Sequence, residues 1–281
     1  MKKNGSTVIL VLIFITGLVI FAYPTISDRW NSFHSSRAIM SYTETVAGLS
    51  AEEYERLYSA AERYNRNIPE RTNLFAISDE EKAEYETLLN VENNGIMGFV
   101  EIPVIDVSLP IYHGTSESVL QVAAGHLDWT SLPVGGPSTH AVISGHRGLP
   151  SAELFTKLDR LVEGDHFMIY VLNETLTYEV DQIHIVLPED VRDLEIRPGK
   201  DYCTLITCTP YGINTHRLLV RGHRVETETE HSVRVNAEAI QIEPMLVAPV
   251  IAVPLLLIMF MMMFASDGRQ WDEQVENEEN S

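Results

Sequence analysis

The interpretation of this sequence rests on the stretch Thr204-Leu-Ile-Thr-Cys208-Thr-Pro-Tyr-Gly-Ile-Asn-Thr-His-Arg217-Leu-Leu-Val-Arg-Gly222. Its first five residues are β-branched or apolar, Pro210-Tyr-Gly212 is typical of a turn, and Arg217 begins a second strand-like run. The pattern predicts a hairpin-like pair whose loop brings the Cys208 thiol close to the Arg217 guanidinium. A nearby positive charge favours a thiolate, and an acyl-transfer site needs a donor for its oxyanion.

The two cysteines of the chain, Cys203 and Cys208, lie on the first of these strands. Five residues of extended chain separate their Cα atoms by roughly 16 Å. A disulfide needs Cα atoms within about 7 Å, so the two cannot pair. Because their separation is odd, their side chains point to opposite faces of the strand. We therefore expect Cys208 to face the cleft and Cys203 to be a small buried hydrophobic residue.

Short alternating apolar runs separated by turn signals recur from Gly95 onward, for example Phe99-Val-Glu-Ile and Leu176-Thr-Tyr-Glu-Val. This spacing predicts a mainly β domain, a mostly antiparallel barrel with a few connecting helices. Upstream, Ser50-Ala-Glu-Glu53 and Ser78-Asp-Glu-Glu81 have the form of capping boxes, and each precedes apolar residues at helical spacing. The residues between these helices, Asn65 to Ile77, predict a loop.

Two apolar stretches predict contact with a membrane. Val8 to Ala22 follows Lys2 and Lys3 and suits either a spanning helix or a signal-peptide core. We favour an uncleaved anchor because no convincing small-residue cleavage site follows. The second stretch, Met245 to Ala265, contains no charged residue and is long enough to cross a bilayer, although a buried core helix is the alternative. The two lysines place the N-terminus inside the cell.

The charge balance argues against one class of partner. Forty acidic residues against twenty basic ones give a formal net charge of −20. Binding to a phosphate backbone depends on clustered lysine and arginine, so we expect no nucleic-acid partner.

Three blocks of this sequence together resemble the sortase family, and within it the pilus-assembling class C. The first is Thr204 to Cys208 with Arg217 nine residues later, and the second is His140-Ala-Val-Ile-Ser-Gly-His146-Arg-Gly148. The third is Gly95-Ile-Met-Gly-Phe-Val-Glu-Ile-Pro103, followed by Leu109-Pro-Ile-Tyr-His-Gly114. The resemblance implies an eight-stranded sortase barrel with short connecting helices, preceded by a helical, lid-like region.

The resemblance also implies an activity, that of a cysteine transpeptidase on a Gram-positive cell surface. Cys208 would cleave an LPXTG-like sorting signal between Thr and Gly through a thioacyl intermediate, with His146 as proton donor and Arg217 as oxyanion donor. A lysine amine of another pilin subunit would resolve the intermediate. No cofactor and no metal is implied. The alternatives are a sortase that uses a cell-wall amine of peptidoglycan, and a non-catalytic membrane-tethered β-domain that binds surface proteins.

Two further residues are candidates for supporting roles. Thr207 precedes the proposed nucleophile and is a candidate substrate or oxyanion contact, or else an ordinary strand residue. Class C sortases usually carry an Asp-Pro-aromatic lid triplet, which is missing here. Phe75 is the lid candidate in its place, or else a loop aromatic that packs on a neighbouring helix. A metal site built from His113, His126 and His140 lacks the tight ligand spacing that such sites show.

The expected organisation is a multi-pass protein of the cell membrane with its catalytic domain outside. Its predicted segments are a cytoplasmic N-terminus (1–7), an N-terminal transmembrane anchor (8–23), an extracellular helical, lid-like region (24–90), the sortase catalytic barrel (91–226), a linker (227–244), a C-terminal transmembrane helix (245–265) and an acidic cytoplasmic tail (266–281).

Overall fold

The computed structural model describes residues 4–71 and 75–227. The predicted C-terminal span at 245–265 and the acidic tail lie outside these residues, so both stay predictions. Within the described residues one helix, Val11–Ala47, has the length and composition needed to cross a membrane. That helix contains most of the predicted N-terminal anchor.

Among the described residues, eight strands close into a barrel in the order β1-β2-β3-β4-β7-β8-β6-β5. Neighbouring strands are antiparallel except for the parallel pairs β2–β3 and β4–β7. The predicted mainly β, mostly antiparallel barrel is therefore confirmed. The strands are β1 Ile96–Ile102, β2 Val107–His113, β3 Ala124–His126, β4 Thr139–Ser144, β5 His166–Val171, β6 Glu174–Val186, β7 Asp201–Thr209 and β8 His216–Val225.

Strand β7 separates two apolar clusters because successive side chains point to opposite faces. Cys203 and Leu205 belong to the main core, whereas Ile206 belongs to a second cluster with Leu194 and Leu219. This second cluster lies on the same face of β7 as Cys208, two residues further along the strand. The barrel thus carries a small apolar patch next to the proposed nucleophile.

Four helices accompany the barrel in the described chain: α1 Asn4–Ala47, α2 Ala51–Asn67, α3 Asp79–Tyr85 and α4 Glu117–Leu120. Both predicted capping boxes are present. The hydroxyls of Ser50 and Ser78 accept from the third helical amide, while Glu53 and Glu81 accept from the cap amides. The predicted loop at 65–77 begins later than expected, since α2 continues to Asn67.

Helix α1 extends well beyond the predicted anchor at 8–23, whose bounds stay a prediction. It continues through Pro24 and its C-terminal half packs on the barrel. Tyr42 is buried; its hydroxyl donates to the Met97 carbonyl (3.0 Å) and accepts from the Leu172 amide (2.8 Å). Burial raises the pKa of Tyr42 to about 12. One side chain thereby joins α1 to β1 and to the turn between β5 and β6.

The part of α1 just beyond the apolar run is fixed to a distant loop. The Asp28 carboxylate accepts from the Glu153 amide at 2.7 Å, and the Asn31 side-chain amide donates to the Ser151 carbonyl at 2.8 Å. We call this pair of contacts the α1 clasp. The Phe155 amide in the same loop donates to the His146 carbonyl at 3.1 Å. The α1 clasp is therefore connected to the backbone of His146 through the hydrogen bond from the Phe155 amide.

We predict that Asp28→Ala releases this loop without unfolding the barrel. Exchange of the Glu153 amide should rise about fivefold, the effect of losing a hydrogen bond worth about 1 kcal/mol. Asp28→Asn keeps an acceptor oxygen and should retain most of the protection. Hydrogen exchange at residues 151–155 is the measurement. Ser36→Ala, on an exposed turn of the same helix, is the control, and equal exchange in all variants would show that the clasp does not form.

Candidate active site

The parallel pairing of β4 with β7 determines where His146 lies. Ser144 is in register with Ile206, and the next amide, Gly145, donates to the Ile206 carbonyl at 3.0 Å. A Cβ atom at Gly145 would come within 2.6 Å of the Phe155 ring, so only glycine fits against this ring. His146 follows directly and lies beside the end of β7, with 26% of its side chain exposed.

The antiparallel pairing of β7 with β8 sets Cys208 opposite Arg217. Residues directly opposite each other in such a pair have Cβ atoms about 4.5–5.5 Å apart. Cys208 is a free, half-buried thiol. The Arg217 guanidinium donates from Nη1 to the carbonyl of Asn214 in the connecting loop (3.3 Å) and to that of His216 at the start of β8 (3.1 Å). The three predicted residues therefore lie at neighbouring positions, with His146 just beyond β4, Cys208 on β7 and Arg217 on β8.

Cys203 has a different environment from Cys208. It is also unpaired, as predicted, but its side chain is fully buried in the core. Burial, and to a smaller extent the charge of Asp201, raises the pKa of the Cys203 thiol well above its usual range. A thiol held in its protonated form inside the core is a poor nucleophile.

Thr207 is buried and its hydroxyl donates to the Gly145 carbonyl at 2.8 Å. This hydrogen bond joins the end of β7 to the residue before His146. The contact of Thr207 with a substrate or an oxyanion stays a prediction.

Arg147 was not singled out from the sequence, yet it joins the two sides of the site. It forms an ion pair with Asp159 and donates from Nη1 to the Thr209 hydroxyl at 3.3 Å. Its guanidinium carbon also lies 5.8 Å from the centroid of the Tyr211 ring. The residue after His146 is thus fixed to the residue after Cys208. The sequence feature that could have indicated Arg147 is its position directly after the proposed proton donor, His146.

The three histidines considered for a metal site have other partners. His126 is buried between the Ser131 carbonyl and the Tyr85 hydroxyl, and burial lowers its pKa to about 3. Burial likewise lowers the pKa of His140 to about 4. His113 lies within 2.9 Å of the Gly95 carbonyl. In the part of the chain that the structure describes, no group of three or more potential ligands is arranged to hold a metal ion.

The lid candidate Phe75 contacts Trp129 edge-to-face, with ring centroids 5.5 Å apart. Trp129 in turn packs against the apolar cluster beside Cys208. Arg71 fixes this region, since it pairs with Glu81 at 2.8 Å and donates to the Trp129 carbonyl at 3.2 Å. Phe75 therefore packs on Trp129, which itself packs on the patch that adjoins the site, whereas a lid function for Phe75 stays a prediction.

Comparison with known proteins agrees with this arrangement. The family model described as the Sortase domain matches residues 100–225. The chain is similar to the crystal structure of sortase C1 from Streptococcus agalactiae, at 51% identity and a TM-score of 0.67, over 68% of this chain and 100% of that one. It is also similar to sortase C from Clostridium perfringens solved with the C-terminal cell wall sorting motif, at 42% identity and a TM-score of 0.61, over 68% and 100% of the two chains.

A curated relative gives a more distant match. Sortase A of Streptococcus agalactiae is 30% identical over 138 residues, which cover 48% of this chain. The match spans 55% of the length of that relative.

We predict that a small thiol reagent modifies Cys208 in the folded wild-type protein and leaves Cys203 unmodified, because only Cys208 is half-exposed. Replacing Phe75 with alanine should change the rate at Cys208 by less than about threefold, since an accessible thiol reacts according to its own thiolate fraction. Mass spectrometry of the modified peptides measures both rates. A large acceleration in the Phe75→Ala variant would show that this ring seals the site.

Proposed function

This chain belongs to the sortase family of cysteine transpeptidases, and we propose that it is a membrane-anchored class C sortase that polymerises pilins on a Gram-positive cell surface. The anchor is the apolar N-terminal part of α1, and the barrel, with the later turns of α1 packed on it, lies outside the membrane. Its substrate is a protein with an LPXTG-like sorting signal, which it cleaves between Thr and Gly. Support for class C comes from similarity to two solved class C sortases over their whole length.

One observation carries the proposed chemistry, namely that β4 and β7 end close to where β8 begins. Cys208 lies opposite Arg217 on β8, and His146 follows the strand that pairs with β7 on its other side. A nucleophile, a proton carrier and a fixed cation are the groups that acyl transfer by a thiol requires. Here Cys208 on β7 is the nucleophile, His146 after β4 is the proton carrier, and Arg217 on β8 is the cation.

The proposed acylation step follows from this arrangement. The Cys208 thiolate attacks the carbonyl carbon of the substrate threonine, and the developing oxyanion is stabilised by Arg217. A guanidinium stays charged and offers several donors in a fixed plane, which suits this position. The C–N bond of the Thr–Gly peptide then breaks, and the imidazolium of His146 protonates the departing amine. A thioester between the substrate and Cys208 remains.

The second step transfers the acyl group to an amine. A lysine amine of another pilin attacks the thioester, the C–S bond breaks, and an isopeptide bond forms. A cell-wall amine of peptidoglycan would undergo the same reaction. The pilus-polymerising and the anchoring functions therefore differ only in which amine attacks the thioester. Transfer assays that offer a lysine-bearing pilin and a peptidoglycan amine side by side distinguish them.

We predict that Cys208→Ala abolishes acyl-enzyme formation with a sorting peptide, whereas Cys203→Ala retains it. The reason is that Cys203 is enclosed in the core. His146→Ala should lose about 10²–10⁴-fold in rate, the usual contribution of a positioned proton donor. Mass spectrometry of the trapped thioester is the measurement. Equal loss in both cysteine variants would contradict the assignment, and an inert wild-type protein would favour a non-catalytic binding domain.

We also predict that Arg217→Lys loses most of the activity although it keeps a positive charge. A lysine ammonium is a point charge on a flexible stem and does not reproduce a planar set of donors. The rate of acylation should fall while circular dichroism shows an intact fold. Near-normal turnover in the lysine variant would mean that Arg217 contributes only its charge.

A further inference from the structure

Glu117, at the start of α4, is a carboxylate that the proposed mechanism does not use. Its Oε2 atom lies 3.6 Å from Nε2 of His146, while 72% of its side chain is exposed. The Gln121 side-chain amide donates to the other oxygen, Oε1, at 2.6 Å. This hydrogen bond, together with the charge of His146, lowers the pKa of Glu117. An ionised carboxylate is thus held beside the proposed proton carrier with an open side toward solvent.

The contact with His146 does not by itself account for this carboxylate. A separation of 3.6 Å is longer than a charge-assisted hydrogen bond, which measures about 2.7–2.9 Å. Ion pairs this exposed contribute little to orientation or stability. The carboxylate therefore has hydrogen-bonding capacity left for a ligand that approaches His146 from solvent.

The charges around the site indicate which ligand would fit. Arg217 and Arg147 carry positive charge, and Asp159 is already paired with Arg147. In the described chain, Glu117 is the carboxylate within ion-pair distance of His146. A primary ammonium group complements it, because an ammonium offers three donors and a full positive charge. The formal net charge of −20 also favours the approach of cations.

We propose that Glu117 binds the ammonium group of the acceptor substrate and holds it beside His146. The inference rests on the proposed function, because it concerns the amine that resolves the thioester on Cys208. It assigns a specificity residue for the acceptor. Water, the competing acceptor, carries no charge and therefore gains no charge–charge attraction from this carboxylate.

The proton transfers of this step balance. The acceptor arrives as an ammonium and first loses one proton to solvent on the exposed side of Glu117. The free amine then attacks the thioester carbon, a C–N bond forms, and the C–S bond breaks. The second proton passes to neutral His146, which lost its own proton to the departing amine during acylation. The products are the amide, the Cys208 thiolate and the His146 imidazolium.

The test uses the full chain in detergent with a sorting peptide and a lysine-bearing peptide as acceptor. The measurement is the ratio of amide to hydrolysed product formed from the same acyl-enzyme. Glu117→Gln keeps the size of the side chain and removes its charge, so this ratio should fall about fivefold, the size of an effect expected from a rim charge on a charged ligand. Glu163→Gln, a change at another exposed carboxylate, should leave the ratio unchanged.

A neutral acceptor and salt provide independent readouts. With hydroxylamine, which is uncharged at neutral pH, the ratio of transfer to hydrolysis should be the same in wild type and Glu117→Gln. Added salt should lower the lysine ratio of the wild type and have less effect on the variant, because the attraction is screened.

Two results would overturn the inference. An unchanged lysine ratio would show that the carboxylate does not bind the acceptor. Equal slowing of transfer and hydrolysis, with the ratio preserved, would show that Glu117 acts through His146. Failure of the wild-type protein to form an acyl-enzyme is a separate result, visible before any variant is compared, and it would contradict the proposed function together with this inference.

Discussion

The register of β7 against its two neighbours is the constraint on which the site depends. A slip of one residue would turn Cys208 into the core and Cys203 outward, because side chains alternate between faces. The core prevents this slip, since Cys203 and Leu205 are both fully buried. Opposite Cys203, a Cβ atom at Gly222 would come within 2.8 Å of the Phe167 and Tyr178 side chains. Packing around Cys203, rather than around Cys208 itself, thus decides which of the two cysteines faces solvent.

A second level of structure holds the loops that carry the site. Strand pairing ends at Ser144 and Thr209, so the residues beyond these points need other partners. Thr207 bonds to Gly145, and Arg147 bonds to Thr209. One contact runs from β7 to the loop after β4, and the other runs from that loop back to β7. Catalysis by positioned groups requires supports of this kind, because small displacements of a proton donor reduce rates sharply.

The sequence patterns that proved reliable were local. Strand alternation predicted that Cys203 and Cys208 face opposite sides, and serine followed by glutamate three residues later predicted both capping boxes. Each depends on residues within one element, where geometry follows directly from spacing. The class of barrel was also predictable, because repeated short strands leave few alternatives.

The features that were missed depend on contacts between distant residues. The predicted anchor ended at residue 23, and the helices predicted beyond it began only at the two capping boxes. The helix nevertheless continues, and its later turns are stabilised by packing of Tyr42 and Val46 on the barrel. Glu117 and Arg147 were missed because their partners lie 29 and 62 residues away in sequence. A local sequence pattern does not indicate which residues distant in sequence lie close together in the fold.

The charges of the site follow the order of events in the proposed reaction. Acylation develops negative charge on the substrate oxygen, and the fixed cation that suits it, Arg217, stands opposite the thiol on β8. Resolution would bring in a positive amine, and the carboxylate proposed to bind it, Glu117 on α4, lies 3.6 Å from His146. A single group could not serve both, because a charge that stabilises the oxyanion repels the ammonium. Separate elements for the two charges would keep the oxyanion and the ammonium apart while His146 exchanges its proton with each amine in turn.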